Sequence, residues 1–296
     1  MEYRTDLAVE SKVFRQDDQE LPKGIQLRRE QKFGIDATIV TLKTTGAAHA
    51  VGKPKGTYIT MELQSVLRRE KESFTGAVVA MGAYLRDLLK IPDHLPVLVA
   101  GLGNRDVTPD AIGPLTVDHI FVTRHMLREM PRQFGQFRAV SAISPGVLGT
   151  TGMESAEIIR AMREKSNAAA VIAVDAFAAI DTCKLCSTIQ ISNSGIVPGS
   201  GIGNRRCAID ERTLGVPVIA VGVPTVTHAS TLAADLLEQS GFQPDHGLIK
   251  SVSSDMIVTS SDIDRRIREI SRVLAYGINY ALHSDLTLDD LSDLTY

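Results

Sequence analysis

The sequence predicts an α/β protein with a mostly parallel β-sheet flanked by helices. Three apolar runs, residues 95–100, 168–174 and 215–224, suit buried strands and are too short to span a membrane. Segments with helical spacing of apolar residues lie between them. Strands that alternate with helices indicate a parallel sheet covered on both sides.

Extra β-rich elements are expected in the N-terminal part, at about residues 25–64. Residues 35–42 and 56–63 read as strands, and the Gly- and Pro-containing stretch 52–56 reads as the loop between them. A helix is predicted near 71–90, where apolar residues recur every three or four positions. These residues are Phe74, Val78, Met81, Leu85 and Leu88.

The remaining predicted elements follow in chain order. They are a helix near 114–128, a strand at 137–143, a helix that starts at a capping box formed by Thr151 and Glu154, a strand at 187–192, and helices at 229–239 and 261–282. Residues 1–24 are charged and lack periodicity, which is typical of a loose leader.

Composition excludes several classes of function. The chain has 296 residues, 44% hydrophobic and 23% charged, with a net charge of −3, so nothing suggests general affinity for nucleic acid. The N-terminus is polar and charged, unlike a secretory signal. Three cysteines without a disulfide framework fit a reducing compartment. We therefore expect a cytoplasmic protein without a membrane span.

Two aspartates are the strongest candidates for chemistry. Asp110 lies in the loop 108–114 (TPDAIGP) just after one predicted strand, and Asp175 follows another. Ligands and chemistry collect at the carboxyl ends of parallel strands, and neighbouring strands lie about 5 Å apart. Two carboxylates held close together repel each other when both are ionised. One of them therefore keeps a proton and can act as an acid, while the other can act as a base.

Each aspartate also has other interpretations. The pair can instead bind a metal ion, or each residue can simply cap a following helix. The glycine-rich loop 199–204 can approach a substrate backbone, in which case Gly201 and Gly203 are substrate-binding residues, or it is only a tight turn.

Other motifs do not indicate a cofactor. The loop 199–204 lacks the Lys-Ser/Thr of a phosphate-binding loop, and Asp106 stands where a dinucleotide fingerprint needs glycine, so we predict no cofactor. Cys183 and Cys186 form a CxxC pair, but a single pair is weak evidence for a metal, and none is predicted. His228 is more typical of a solvated helix start than of a site residue.

Five stretches carry a resemblance to a known family. They are residues 5–10 (TDLAVE), 99–104 (VAGLGN), 108–114 (TPDAIGP), 173–176 (AVDA) and 198–204 (PGSGIGN). In this order, and over essentially the whole chain, they resemble the germination proteases of endospore-forming bacteria. The resemblance implies a self-processing endopeptidase, a zymogen, that starts the degradation of small acid-soluble spore proteins in the spore core.

The same resemblance implies the site residues and the assembly. Asp110 and Asp175 match the two essential aspartates of the family. Residues 5–10 resemble its cleavage site, Thr-Glu followed by Phe or Ile and Ala-Ser-Glu, with the cut between Asp6 and Leu7. Residues 1–6 are then a propeptide, and 7–296 are a single α/β peptidase domain. The family is tetrameric, and no direct contact with nucleic acid or membrane is implied.

The implied core fold is phosphorylase/hydrolase-like and similar to hydrogenase-maturation proteases, in which acidic residues at matching strand ends bind nickel. Two rival functions follow from that similarity. One is a metal-dependent peptidase that uses the same carboxylates, and the other is a non-catalytic binding or metal-delivery protein. The leader discriminates against the second, because a binding module has no reason to carry a copy of a protease site.

Overall fold

One mixed β-sheet runs through the computed structural model. The structure describes residues 5–14, 20–70, 72–135, 137–204, 206–242, 249, 256–283, 286–287 and 289–290. Within them the sheet has nine strands. They are β1 (Ile25–Lys32), β2 (Ile35–Leu42), β3 (Gly56–Glu62), β4 (Val97–Gly101), β5 (Val140–Ile143), β6 (Ala170–Ala178), β7 (Thr188–Ser192), β8 (Val218–His228) and β9 (Ile257–Val258).

The strand order is β1-β2-β3-β7-β8-β6-β4-β5, and β9 pairs with the end of β8. Strands β8, β6, β4 and β5 are parallel to one another. Strands β1, β2, β3 and β7 extend the sheet on the other side by antiparallel pairing, and β7 joins β8. The predicted α/β sheet with added N-terminal strands is therefore confirmed.

Helices cover the sheet. Those with defined bounds are α1 (Thr45–Val51), α2 (Gln64–Leu67), α3 (Ser73–Leu89), α4 (Ile112–Val117), α5 (Arg124–Glu129), α6 (Pro131–Phe134), α7 (Leu148–Thr151), α8 (Ser155–Ser166), α9 (Glu211–Leu214), α10 (Ala229–Gln239) and α11 (Ile263–Leu282). Among the described residues, no helix combines the length and the apolar character that crossing a bilayer requires.

The alternation of side chains along the central strands separates two apolar layers. In β6, Ile172 and Val174 pack with the side chains of α3 and α11. Ala173 and Phe177 face the opposite layer, which also contains Leu7. Asp175 lies between Ala173 and Phe177 in this alternation. Its side chain therefore belongs to the layer that contains Leu7.

The predicted helix at 114–128 is two helices, α4 and α5. Between them the backbone makes contacts outside any helix. The Phe121 N–H donates to the Asn279 side chain at 2.9 Å, and the Thr123 N–H donates to the Val140 carbonyl at 3.1 Å. These partners replace the hydrogen bonds that a continuous helix would need, so the helix ends and restarts.

The predicted capping box is also displaced. Helix α8 starts one residue after Glu154, and the box joins Glu154 with Glu157. Thr151 is instead the last residue of α7, where its hydroxyl donates to the Val147 carbonyl at 3.2 Å. Because the Thr151 hydroxyl is already hydrogen-bonded within α7, it does not cap α8, and Glu154 is the N-cap residue instead.

The N-terminal segment is not loose where it is described. Residues 5–14 contain two short 3-10 turns, Ala8–Glu10 and Lys12–Phe14. Leu7, Ala8 and Glu10 are buried. The polar sequence concealed this, because the partners of these residues lie far away in the chain. Residues 1–4 and 15–19 of the predicted leader lie outside the described residues.

Candidate active site

The sheet places the two predicted aspartates at one edge. Strand β4 pairs in parallel with β6 up to Gly101, which lies opposite Val174. The chain then leaves the sheet, with the Leu102 N–H donating to the Val174 carbonyl at 2.8 Å. It returns in the short 3-10 turn Thr108–Asp110, so Asp110 comes back toward the strand that carries Asp175.

Asp175 lies within β6 and not at its end, contrary to the sequence-based expectation. The strand continues to Ala178 because β8 stays paired with it on the other side, where Ala178 is opposite Val226. Its neighbour β4 stops one position before Asp175. Asp175 therefore occupies a notch in the sheet, and it is only 5% exposed.

The loop between β4 and the 3-10 turn is shaped to hold Asp110. The Asn104 N–H donates to Oδ2 of Asp110 at 2.7 Å. Gly103 has a positive φ of 105°, and a Cβ there would lie 2.0 Å from the Asp110 carbonyl oxygen. Only glycine fits this close approach, which explains the GLGN sequence before the aspartate.

The environment raises the pKa of both carboxyl groups. Burial raises the pKa of Asp110, and the hydrogen bond from Asn104 opposes it. The pKa of Asp175 is raised well above its ordinary value by burial, then by repulsion from Asp110, with a further contribution from Asp6. The Ala176 N–H, 2.9 Å from Asp175 Oδ1, opposes the shift. The charges of Asp110 and Asp6 thus both act on Asp175, and together with burial they favour the protonated form of Asp175.

Residues 5–10, which we call the docked segment, lie against this site. The Asp6 N–H donates to the Ala178 carbonyl at 2.9 Å, and the Ala178 N–H donates to Asp6 Oδ2 at the same distance. The Ser200 hydroxyl donates to Asp6 Oδ1 at 2.6 Å. A Cβ on Gly201 would lie 2.0 Å from Asp6 Oδ2, so the glycine-rich loop reaches the carboxylate only because this residue has no side chain.

Gln190 of β7 holds the docked segment on both sides of Leu7. Its Nε2 donates to the Asp6 carbonyl at 3.0 Å, and its Oε1 accepts from the Ala8 N–H at 2.7 Å. Leu7 between them is extended, with φ −80° and ψ 125°, and has no exposed surface. Sequence reasoning missed Gln190. A polar residue between two isoleucines in a strand gives no local signal that distinguishes it.

The far end of the docked segment is fixed by a second carboxylate. Glu10 is 5% exposed and accepts from the N–H groups of Ile180 at 2.8 Å and Asp181 at 2.9 Å, as well as from the Thr5 hydroxyl. Burial raises the pKa of Glu10 despite these bonds. Lys53 Nζ donates to the Thr5 carbonyl at 2.8 Å.

A cleft of about 1210 Å³ adjoins the docked segment. His228 and Gly203 are among its lining residues. His228 is the last residue of β8 and the N-cap of α10, so it stands at a helix start as the sequence favoured. It is half-buried and not fully solvated, with Nε2 3.0 Å from the Gly201 carbonyl. Gly203 is exposed and closes a turn by donating its N–H to the Ser200 carbonyl at 3.3 Å.

The CxxC cysteines do not form an activated pair. Both are free thiols; Cys183 is exposed and Cys186 is buried. The nearby Asp181 raises the pKa of Cys183, and burial raises the pKa of Cys186 to about 12. Within the described part of the chain, no cluster of three or more His, Cys, Asp or Glu residues has the arrangement of a metal site.

Comparison with known proteins gives the family. A family model described as germination protease matches residues 2–240. The chain belongs to the germination protease family. A germination protease of Caldanaerobacter subterraneus subsp. tengcongensis is 40% identical over 99% of this chain and 98% of its own length. Membership of the family makes the chain an endopeptidase that acts on protein substrates.

Other germination proteases match over similar lengths. The protein from Clostridium tetani is 36% identical over 99% of both chains. The protein from Priestia megaterium is 33% identical over 99% of this chain and 97% of its own length. Among solved structures, a [NiFe] hydrogenase maturation protease from Thermococcus kodakarensis covers 66% of this chain and 98% of its own, with 14% identity and a TM-score of 0.35.

Proposed function

We propose that this germination protease removes its own propeptide, residues 1–6, by cutting the bond between Asp6 and Leu7. One observation carries the proposal. The Asp6–Leu7 bond is held extended in the site where the charges of Asp6, Asp110 and Asp175 interact. A segment without a role at this site would have no reason to bury Leu7 fully and to satisfy the Asp6 carboxylate with two donors.

Asp110 and Asp175 supply acid–base chemistry in this proposal. One carboxylate takes a proton from water, and the water oxygen attacks the carbonyl carbon of Asp6. The carbon–nitrogen bond then breaks, and the Leu7 nitrogen receives a proton from the other carboxyl group. The raised pKa of Asp175 suits it to the acid role, and Asp110, less buried and held by Asn104, suits the base role.

Before the cut, the docked segment fills the site that a substrate would need, so the intact chain is a zymogen. Residues 7–296 then form the peptidase domain, and strands β1, β2 and β3 belong to the same sheet as the rest. The family resemblance further favours a homotetramer in the cytoplasm of the spore core, without direct contact with nucleic acid or membrane.

The proposed substrates of the processed enzyme are small acid-soluble spore proteins. The docked segment indicates which features of a substrate would be recognised. Its acidic residues Asp6 and Glu10 each occupy a pocket lined by N–H or hydroxyl donors. Between them, Leu7 fills an apolar pocket. The Thr-Glu, Phe or Ile, Ala-Ser-Glu pattern that the resemblance implies has the same order of acidic and apolar residues.

The first test replaces one aspartate. Asp175→Asn should abolish both loss of residues 1–6 and cutting of a purified small acid-soluble spore protein, because asparagine neither donates nor accepts the required proton. Intact mass after prolonged incubation measures the first, and gel electrophoresis measures the second. Asp36→Asn, at an exposed position in β2, is the matched control and should behave like the unaltered chain.

Two outcomes would contradict this function. If an Asp175→Asn chain still loses residues 1–6 and begins at Leu7 after incubation, the aspartate pair does not carry out the cleavage. If the unaltered chain still begins at Met1 after prolonged incubation, the protein does not process itself. Exhaustive chelation with metal add-back separates the rival chemistry: loss of activity that returns only with a metal ion would favour a metal-dependent peptidase built on the same carboxylates.

A further inference from the structure

We propose that Gln190 is a catalytic residue that holds and polarises the carbonyl of the bond to be cut. The inference rests on the proposed cleavage between Asp6 and Leu7. The Gln190 Nε2 lies 3.0 Å from the Asp6 carbonyl oxygen, which is the oxygen that would gain negative charge when water adds to the carbon. A fixed N–H donor at that atom is the defining feature of an oxyanion site.

The orientation of the Gln190 amide is fixed by its partners. A carbonyl oxygen can only accept, and a backbone N–H can only donate. The Asp6 carbonyl therefore requires the NH₂ end of the side chain, and the Ala8 N–H requires its oxygen. The reverse orientation would break both hydrogen bonds. The donor is thus directed at the carbonyl and not merely near it.

The sheet register places Gln190 across from the acid. Asp175 of β6 and Gln190 of β7 both pair with Gly222 of β8, from opposite sides. Residues in register share a face, and two strand spacings amount to about 10 Å. The Phe177 ring lies over Gly222, where an added Cβ would be 1.9 Å from the ring. The missing side chain of Gly222 leaves room for this ring, and Gln190 reaches the Asp6 carbonyl from β7.

Gln190 is also placed rigidly. It is 3% exposed and lies in β7, which pairs with β3 on one side and β8 on the other. A donor held by a paired strand needs little reorganisation when charge develops on the oxygen. In the step itself, the carbonyl π electrons move to oxygen as water adds, and the Gln190 N–H stabilises that oxygen. These electrons return to the carbonyl double bond as the carbon–nitrogen bond breaks. Gln190 only donates a hydrogen bond throughout, so it neither gains nor loses a proton.

The test uses the processed enzyme and a synthetic peptide with the sequence of residues 1–14. Gln190→Ala should lower kcat on the order of 100-fold, which is typical of losing one oxyanion donor, while KM changes much less. Gln133→Ala, at an exposed position in α6, is the control and should match the unaltered enzyme. A kcat within about threefold of the unaltered enzyme would overturn the proposal.

Gln190→Glu provides a readout that a structural role would not give, and it decides the matter if Gln190→Ala does not fold. The ionised carboxylate has no hydrogen to donate, but its protonated form does. The ratio of the variant's kcat to that of the unaltered enzyme should therefore rise as pH falls toward the carboxyl pKa. A ratio independent of pH would overturn the proposal.

Failure of this inference is distinguishable from failure of the proposed function. If the unaltered chain cuts the peptide, Asp175→Asn does not, and both Gln190 variants keep the unaltered kcat, only the role of Gln190 is wrong. If the unaltered chain does not cut the peptide and does not lose residues 1–6, the self-processing function fails and the Gln190 proposal fails with it.

Discussion

Single residues in this protein are under strong constraint where the docked segment meets the sheet. Asp175 is a buried acid whose pKa is raised first by burial and then by Asp110. Gly201 admits the Asp6 carboxylate to a space that any other side chain would fill. The buried acid lowers the stability of the fold, and the need for glycine at position 201 restricts the sequence. Both features agree with the proposed roles of these residues in chemistry and substrate binding.

The raised pKa of Asp175 predicts a pH dependence of stability. Above the ordinary pKa of 3.8, the native state keeps a proton that the unfolded chain releases. The stabilising contribution of protonated Asp175 is therefore complete below that value and is lost as pH rises through the raised native pKa. Asp175→Asn cannot ionise, so its stability relative to the unaltered chain should increase with pH, by at most about 1.4 kcal/mol per pH unit.

Urea unfolding of intact chains at pH values between about 4 and 8 measures this difference, with mass spectrometry to verify that no residue has been lost. Asp36→Asn, at an exposed position in β2, is the matched control. A difference between Asp175→Asn and the unaltered chain that does not vary with pH would mean that Asp175 titrates like an exposed acid.

At the scale of elements, unequal strand lengths create the site. Strand β4 ends beside Val174, whereas β6 continues to Ala178 alongside β8. The three residues of β6 beyond Asp175 have no β4 partner. The Ala178 backbone at the end of β6 binds Asp6 instead. The docked segment therefore occupies the place of a missing strand end.

Helix α11 has a structural role that a single side chain tests. Asn279 is fully buried, accepts from the Phe121 N–H and donates to the His119 carbonyl, each at 2.9 Å. Asn279→Leu should lower the free energy of unfolding by about 1–3 kcal/mol, because two backbone groups lose their partners. Chemical denaturation measures the change.

Arg272→Ala, on the exposed face of the same helix, is the control and should change stability by no more than about 0.5 kcal/mol. Equal, small effects of the two substitutions would show that water replaces Asn279 without cost, and that α11 does not fix the chain between α4 and α5.

At the scale of the whole molecule, the N-terminal segment is part of the core. Leu7 belongs to the apolar layer that also contains Leu98, Leu102 and Phe177, residues more than ninety positions away. The segment therefore connects the chain terminus to the centre of the sheet. Cutting next to Leu7 would free residues 1–6 and make Leu7 the new N-terminus, which must leave its pocket before a substrate side chain can enter.

Leu7→Ala should destabilise the intact chain by about 2–5 kcal/mol, since a fully buried leucine is lost from a packed layer. Leu27→Ala is the matched control, because Leu27 in β1 is 38% exposed and should contribute much less. Denaturant unfolding of both variants gives the comparison. Similar small losses would indicate that the segment does not pack against the sheet in solution.

The sequence by itself determined most of the elements and the position of Asp110, one of the two aspartates of the candidate site. Strands β2 and β3 and helices α3, α10 and α11 follow from spacing of apolar residues, which neighbouring positions encode. The position of Asp110 after a strand and a glycine turn is equally local. The capping box at Thr151 and the single helix at 114–128 were wrong, because partners elsewhere in the fold took the hydrogen bonds that local patterns had assigned.

The tertiary structure alone decided how distant residues meet. Nothing near Gln190 in the chain indicates that it faces Asp6, since that contact depends on which strands pair and in which register. The burial of the docked segment likewise depends on a notch that exists only because β4 stops before β6. Pairing and burial are set by the packing of whole apolar faces against one another. A local pattern therefore predicts the elements but not the cleft between them.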